Sequence, residues 1–162
     1  LEIEYKHHAG NSSGVVDGSG AVLLASADYA KAHGLKPRAK IRAMANMGDS
    51  PELMLNAPVP AAKKVLEKAG LKKEDIDLWE INEAFAAQVL ADGDQIPGWD
   101  WAKVNVRGGA IALGHPIGAT GTRIVVTLLH GLARRGRRRG IATLCISGGM
   151  GIAALVQREE GA

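Results

Sequence analysis

Two apolar runs near the C-terminus, Ile141–Ile146 and Ile152–Val156, are separated by little more than Gly148-Gly149-Met150-Gly151. Each run is almost continuous in Ala, Val, Ile and Leu, as expected of a buried strand. A connection this short holds no crossover helix, so the runs pair as an antiparallel hairpin. Its glycines tolerate the positive φ that a tight turn needs. Any fold for this chain has to be built around that hairpin.

Upstream, strand-like and helix-like segments alternate. Val22–Ala25 reads as a short buried strand, and Ser26 offers an N-cap for a helix through Ala32 that Gly34 terminates. Lys40–Met47 is a strand candidate, followed by a loop at Gly48–Pro51. Val59–Ala69 reads as a helix with Val65, Leu66 and Ala69 on one face and Gly70 as its stop. Ile76–Ile81 alternates apolar and polar residues as a strand does and runs into helical composition over Glu83–Leu90. Val104–Val106 is a further short strand, and Thr122–Arg135 a strong helix with Ile124, Val125, Leu128, Leu129 and Leu132 on one face. Alternating elements closed by a hairpin predict an α/β layered domain with a mixed sheet. Apolar content of 46%, with only 4% aromatic and 21 glycines, builds that core from small side chains and allows close helix-on-sheet packing.

Charge and cysteine usage exclude more than they suggest. The net charge is +3, and five arginines lie within 134–139. With no interleaved aromatics and no nucleic-acid signature, that run reads as a solvated helix end rather than a nucleic-acid site. A single cysteine, Cys145, rules out an internal disulfide and a multi-cysteine zinc site. No apolar run is long enough to span a bilayer and no signal peptide is present, so a cytoplasmic location is expected and no membrane partner. The chain opens on Leu1 inside what reads as structured sequence, from which a preceding segment is expected.

Three loops follow buried strands, at the rim where α/β sheets bind ligands: Asn82–Ala86, Gly108–Gly121 and Cys145–Gly151. His115 sits in a glycine-rich loop just before a helix. Either it is a structural histidine bonded to backbone, or its neutral Nε2–H polarises a thioester carbonyl. Neither nucleotide-loop pattern is present there. Cys145 is either an inert buried thiol or a reactive one placed at a strand end beside glycines. Asn82 and Glu83 suit simple helix capping, which needs nothing catalytic; the functional alternative has the Asn82 amide orienting a water or carbonyl. Trp99 and Trp101 read as a partly buried lid or a packing plug rather than a cofactor box, and the adjacent His7 and His8 make a poor metal pair.

Together these segments resemble the thiolase family. Asn82-Glu83-Ala84-Phe85-Ala86 is similar to its N-E-A-F-A motif, and Gly108 through Pro116 with Ile117–Gly121 to its G-G-A-I-A-x-G-H-P-x-G-A-[ST]-G signature. Cys145–Gly151 is similar to its C-x-G-G-G-x-G signature, and Ala9–Gly14 with Asp17-Gly18 to a pantetheine-side loop. Two departures stand out: Arg107 where many relatives carry Asn, and Ser147 in place of the first glycine of a run of three.

The resemblance implies a thiolase-like α/β/α domain with a mixed five-stranded sheet. Residues 1–34 would be the end of the family's N-terminal core domain and 35–162 its C-terminal domain. It implies that His115 activates a nucleophilic cysteine and helps form an oxyanion hole, that Asn82 holds a water completing that hole, and that Cys145 is the acid/base at the substrate α-carbon. Backbone amides near Ser147 and Gly148 would bind the acyl oxygen, Ser13 would line the pantetheine channel, and Ala84 and Phe85 would flank the acyl chain. The expected function is that of an acyl-CoA C-acyltransferase half, taking coenzyme A thioesters as substrate with no cofactor or metal. It would be incomplete without the cysteine-bearing N-terminal half and would form homo-oligomers. A subunit of a split thiolase and a non-catalytic thiolase-like binding domain are the alternatives.

Overall fold

The computed structural model describes residue 4 and residues 6–159; residues 1–3 and 5 of the expected first unit, and the last three of the second, lie outside the described residues. In chain order the elements are α1 (Ala27–Ala32), β1 (Lys40–Gly48), α2 (Pro58–Ala69), β2 (Leu78–Ile81), α3 (Ala86–Asp94), α4 (Ala110–Leu113), α5 (Thr120–Arg134), β3 (Arg139–Ile146) and β4 (Met150–Gln157). The C-terminal hairpin forms where the sequence places it. β3 and β4 pair antiparallel, with Ile141 opposite Leu155 and Cys145 opposite Gly151. Gly148 and Gly149 both adopt a left-handed backbone, at φ 80° and 81°. Asp49 N–H donates to the Gly149 carbonyl at 2.8 Å, and a Cβ on Gly149 would meet that same segment, so glycine is required by space as well as by φ.

The sheet has four strands in the order β1-β4-β3-β2. β1 and β3 flank β4 antiparallel, while β2 joins β3 in parallel, which makes the sheet mixed. Helices cover both faces. α2 packs Ala61 and Val65 onto Trp79, Ile141 and Leu155. α5 packs Ile124, Leu128 and Leu132 onto Leu78, Ala142 and Val156. Ile141 and Ala142 are neighbours in sequence yet serve opposite faces, because strand side chains alternate. The result is the expected α/β/α layering.

Helix limits follow local chemistry. Ser26 caps α1 by accepting from Tyr29 N–H at 3.1 Å. Proline at the first turn opens α2, where its missing N–H costs nothing, and Gly70 closes it at φ 63°. No helix among the described residues is long and apolar enough to cross a membrane.

Three expectations are corrected. The sheet has four strands, not five: Val104 makes one isolated bridge to Trp79, and Asn105 then turns to φ 44°, which no strand sustains. Val22–Ala25 forms no strand and is not buried; Leu23 is 87% and Leu24 69% exposed, since among the described residues no strand lies beside it. The helix expected from Glu83 begins three residues later, at Ala86, because the Asn82 backbone still extends the sheet ladder, the Glu83 carboxylate bonds to Asn105 and Ile111, and Phe85 is extended. Trp99 packs tilted on Trp79 at 4.8 Å and Trp101 edge-on to Trp99 at 6.1 Å, so the pair forms the packing plug read from the sequence.

Gly151 offers a direct test of how tightly α2 sits on the hairpin. A Cβ there would lie 2.5 Å from the Ala57 carbonyl carbon, a backbone atom that cannot swing aside. Gly151→Ala is expected to destabilise the domain by about 1–3 kcal/mol in urea unfolding. A loss below a few tenths would show that the start of α2 is free to shift.

Candidate active site

Because β2 and β3 are parallel, with Ile81 opposite Thr143, their C-terminal ends share one edge of the sheet. Asn82 N–H continues the ladder by donating to Thr143 O at 3.0 Å, which places Asn82 beside the last residues of β3, where Cys145 lies. Asn82 is 1% exposed, and neither its Oδ1 nor its Nδ2 has a partner among the described residues. It is therefore not a helix cap. A buried carboxamide without partners is costly, on the order of 1–3 kcal/mol, and such groups point to a ligand or bound water.

Asn105 closes the open side of β2. Its backbone N–H donates to Trp79 O at 2.9 Å. Its side-chain Oδ1 accepts from Ile81 N–H at 2.8 Å and its Nδ2 donates to Ile81 O at 2.9 Å. The same Nδ2 donates to Glu83 Oε1 at 2.8 Å, while Glu83 Oε2 accepts from Ile111 N–H at 3.1 Å at the start of α4. Gly109 has no room for a side chain, since a Cβ would fall 2.0 Å from the Glu83 carboxyl carbon. Glu83 thus joins the end of β2 to the loop that carries His115.

His115 is half-buried and held from two sides. Its backbone N–H donates to Gly14 O at 2.8 Å, and its ring Nδ1 lies 2.7 Å from Thr120 Oγ1. The Thr120 hydroxyl has one proton, and it donates that proton to Pro116 O at 2.9 Å. The ring contact is satisfied when Nδ1 carries the hydrogen. With Nδ1–H bonded to Thr120, the neutral imidazole carries its lone pair on Nε2 and accepts there, and donates only after taking up a proton. Burial and the nearby Arg123 charge both push the ring's pKa down, favouring the neutral form.

The segment 11–16 stitches these loops together. Ser12 bridges Phe85, Ala86 N–H donates to Asn11 O at 2.8 Å, and Val15 bridges His115. Ser13 donates to Ala84 O through both its N–H and its hydroxyl, at 3.1 and 3.2 Å. Phe85 also carries a ring contact to His7 at 4.8 Å. Ser13, Ala84, Phe85 and His115 are thereby brought together. Ser147 and Gly148 lie in the exposed β3–β4 turn, next to Cys145, and among the described residues Ser147 needs no left-handed backbone. Cys145 is half-buried, and burial followed by the Asp92 charge pushes its thiol pKa up.

Several residues escaped the sequence reading. Glu80 is 2% exposed on the α5 side of β2, and its Oε2 has no partner among the described residues; the same holds for the three guanidinium nitrogens of Arg123. Burial pushes the Glu80 carboxyl up to about 7, against the Arg123 charge and with the help of Glu83. An acidic residue inside Leu-Trp-Glu-Ile was the available signal. Asn105 had one too: an asparagine between two valines tolerates the left-handed region where a strand would have to stop.

The fold and this strand edge define a thiolase-type domain. The family model described as Thiolase, C-terminal domain, matches residues 35–158, and the chain belongs to the thiolase family. It is 56% identical over 151 residues to the acetyl-CoA acetyltransferase of Cupriavidus necator and 55% identical over 150 to that of Escherichia coli, in each case across 93% of this chain and 38% of the relative. Human mitochondrial 3-ketoacyl-CoA thiolase and the Bacillus anthracis acetyl-CoA acetyltransferase superimpose with TM-scores of 0.91 at 49% identity, again over 93% of this chain and 38% of theirs. The chain thus spans well under half the length of these relatives.

The Glu80 carboxyl ties stability to pH. Its folded value of about 7 lies above the ordinary 4.5, so the contribution is complete below pH 4.5 and is lost as pH rises through 7. Glu80→Gln is expected to flatten this decline by about 1–3 kcal/mol between pH 5 and 8, measured by urea unfolding. Asp92, also pushed up to about 7 by burial, supplies a decline of the same sign that remains in the variant. An unchanged slope would remove Glu80 from the account.

Proposed function

We propose that this chain supplies the C-terminal half of the active site of a thiolase-type acyl-CoA C-acyltransferase, acting on coenzyme A thioesters in β-ketothiolytic cleavage or Claisen condensation. The observation that carries this reading is Asn82, a fully buried amide with both polar atoms unpartnered among the described residues, on the strand edge that also bears Cys145. In this reading the amide holds a water against the thioester oxygen, where enolate charge develops.

His115 serves two steps through one nitrogen. With Nδ1–H tied to Thr120, Nε2 accepts the proton of a nucleophilic cysteine supplied from outside this chain. Once protonated, Nε2–H becomes a donor to the same thioester oxygen. Cys145 removes or returns the proton at the α-carbon, and its raised pKa suits a group that must hold that proton near neutrality. Backbone amides of Ser147 and Gly148 bind the acyl oxygen. Ser13 borders the pantetheine arm, and Ala84 and Phe85 border the acyl chain. The thioester brings its own reactive group, and no resident cofactor is needed.

Residues 1–34 belong, in this reading, to the preceding core domain, and 35–162 form the C-terminal domain. The exposed Val15, Leu23, Leu24 and Ile117 are the face that the preceding half covers. Homo-oligomers would then form from the completed enzyme.

The test is complementation. The chain alone should show no turnover of acetoacetyl-CoA with coenzyme A, and activity should appear when the N-terminal portion of the Cupriavidus necator enzyme is added. His115→Gln and Cys145→Ser should each lower the complemented rate by roughly 10²–10⁴. Turnover by the chain alone would overturn the half-site reading. Folded but inactive mixtures that still bind acyl-CoA would make this a binding domain instead.

A further inference from the structure

α3 carries a buried carboxyl group to which the proposed acyl-transfer steps assign no role. Asp92 is 1% exposed, buried against a small cavity bordered by Pro58, Val59, Trp79, Ile81, Trp99 and Thr143. Gln88, one turn earlier on α3, donates its amide N–H to Asp92 Oδ2. Asp92 Oδ1 has no partner among the described residues, and neither does Gln88 Oε1. The placement of this pair is specific. Thr143 and Cys145 are two apart on β3, so their side chains leave the sheet on the same face, and Thr143 lines the Asp92 cavity. The carboxyl therefore stands on the side of the sheet to which the sulfur points.

We propose that Asp92 is a positioning residue for Cys145: the Gln88-held carboxyl, buried on the sulfur's side of β3, opposes formation of the thiolate and keeps Cys145 in its protonated form. This rests on the reading of Cys145 as the acid/base group. A thiolate forming on this side of the sheet would meet the like charge of an ionised Asp92, which low-dielectric surroundings screen poorly. The other elements packed around the cavity face it with apolar or neutral side chains: Pro58, Val59 and Ala62 from α2, Trp79 and Ile81 from β2, Ile96 and Trp99 from the following loop, and Thr143 from β3. Among the described residues Asp92 is the charged group acting on the thiol. Burial also pushes Asp92 itself up to about 7, so its charge appears within the working pH range and the two ionisations are coupled. In acyl transfer this holds the proton on sulfur until a substrate carbanion takes it, and keeps Cys145 from competing as a nucleophile.

Because Cys145 is the chain's single cysteine, thiol chemistry on the intact chain reports this site alone. The rate of iodoacetamide alkylation, followed by mass spectrometry from pH 6 to 10.5, gives the thiol titration. Wild type should titrate above an ordinary cysteine, with a flattened rise near pH 7 where Asp92 ionises. Asp92→Asn, which keeps shape and burial, should move the midpoint down by roughly one pH unit and remove the flattening. Asp92→Val should do the same with the cavity filled by methyl groups, and circular dichroism should report both variants folded. Midpoints unmoved in both folded variants would overturn the proposal. Were neither variant to fold, a simple one-step wild-type curve at an ordinary thiol value would overturn it, and a flattened, raised curve would support it. Alkylation needs no turnover, so a shifted curve with inactive complemented mixtures would count against the acyl-transfer reading and leave this one standing.

Discussion

An edge strand of four residues is a weak place to anchor anything, yet β2 carries the residue that opens the candidate site. Its free side is closed by one asparagine. Asn105 imitates a neighbouring strand with its own backbone N–H and with both ends of its carboxamide, matching Trp79 and Ile81 where a fifth strand would have paired. The left-handed turn at φ 44° is what aims the carboxamide there, and asparagine adopts that conformation more readily than most residues. The same amide grips Glu83, and Glu83 fixes the first turn of α4. From Ile81 to the His115 loop the chain is thus held by a relay of charge-assisted and neutral hydrogen bonds rather than by a core. Removing Asn105 would free the end of β2 and the orientation of Glu83 together, which is why a surface-seeming loop residue outranks most core positions for the site.

The polar groups at this edge run against the usual economy of a folded interior. Asn82, Glu80 and Arg123 each bury hydrogen-bonding atoms without partners among the described residues. Every such group favours unfolding by something like 1–3 kcal/mol. The offset comes from the two apolar layers, where Ile76, Ile124, Leu128, Leu132, Ile141 and Leu155 are all within 1% of complete burial. The division of labour is spatial: packing sits in the middle of the sheet, unsatisfied polarity at the C-terminal ends of its parallel strands. Burial, and after it the Arg123 charge, favour a His115 ring that is neutral and ready to accept.

The parts of this arrangement legible in the sequence are those written in short-range pattern. The hairpin, the amphipathic faces of α2 and α5, and the stops at Gly70 and Gly34 follow from periodicity and glycine chemistry, which act over a few residues. The motif loops could be located in the same way. What could not be read were pairings across long separations. Glu83 looked like a first-turn helix residue because its real partners, Asn105 and Ile111, lie 22 and 28 residues away. The His115 tautomer depended on how a threonine five residues on spends its only proton. Val22–Ala25 looked buried because its composition is that of a buried strand. Nothing among the described residues covers it.

That last mismatch says something about segment 7–25 as a whole. Its first part is bonded to Ala84, Ala86 and His115 through backbone groups and sits inside the candidate site. Its second part carries Val22, Leu23 and Leu24 into solvent, 40%, 87% and 69% exposed. Three consecutive exposed apolar residues are an unfavourable surface for a chain whose strands are covered on at least one face. Composition and exposure are reconciled if this stretch pairs within a second layer of structure while its first part reaches back to hold the site loops. Through the backbone bonds of its first part, the position of this segment bears directly on the site loops.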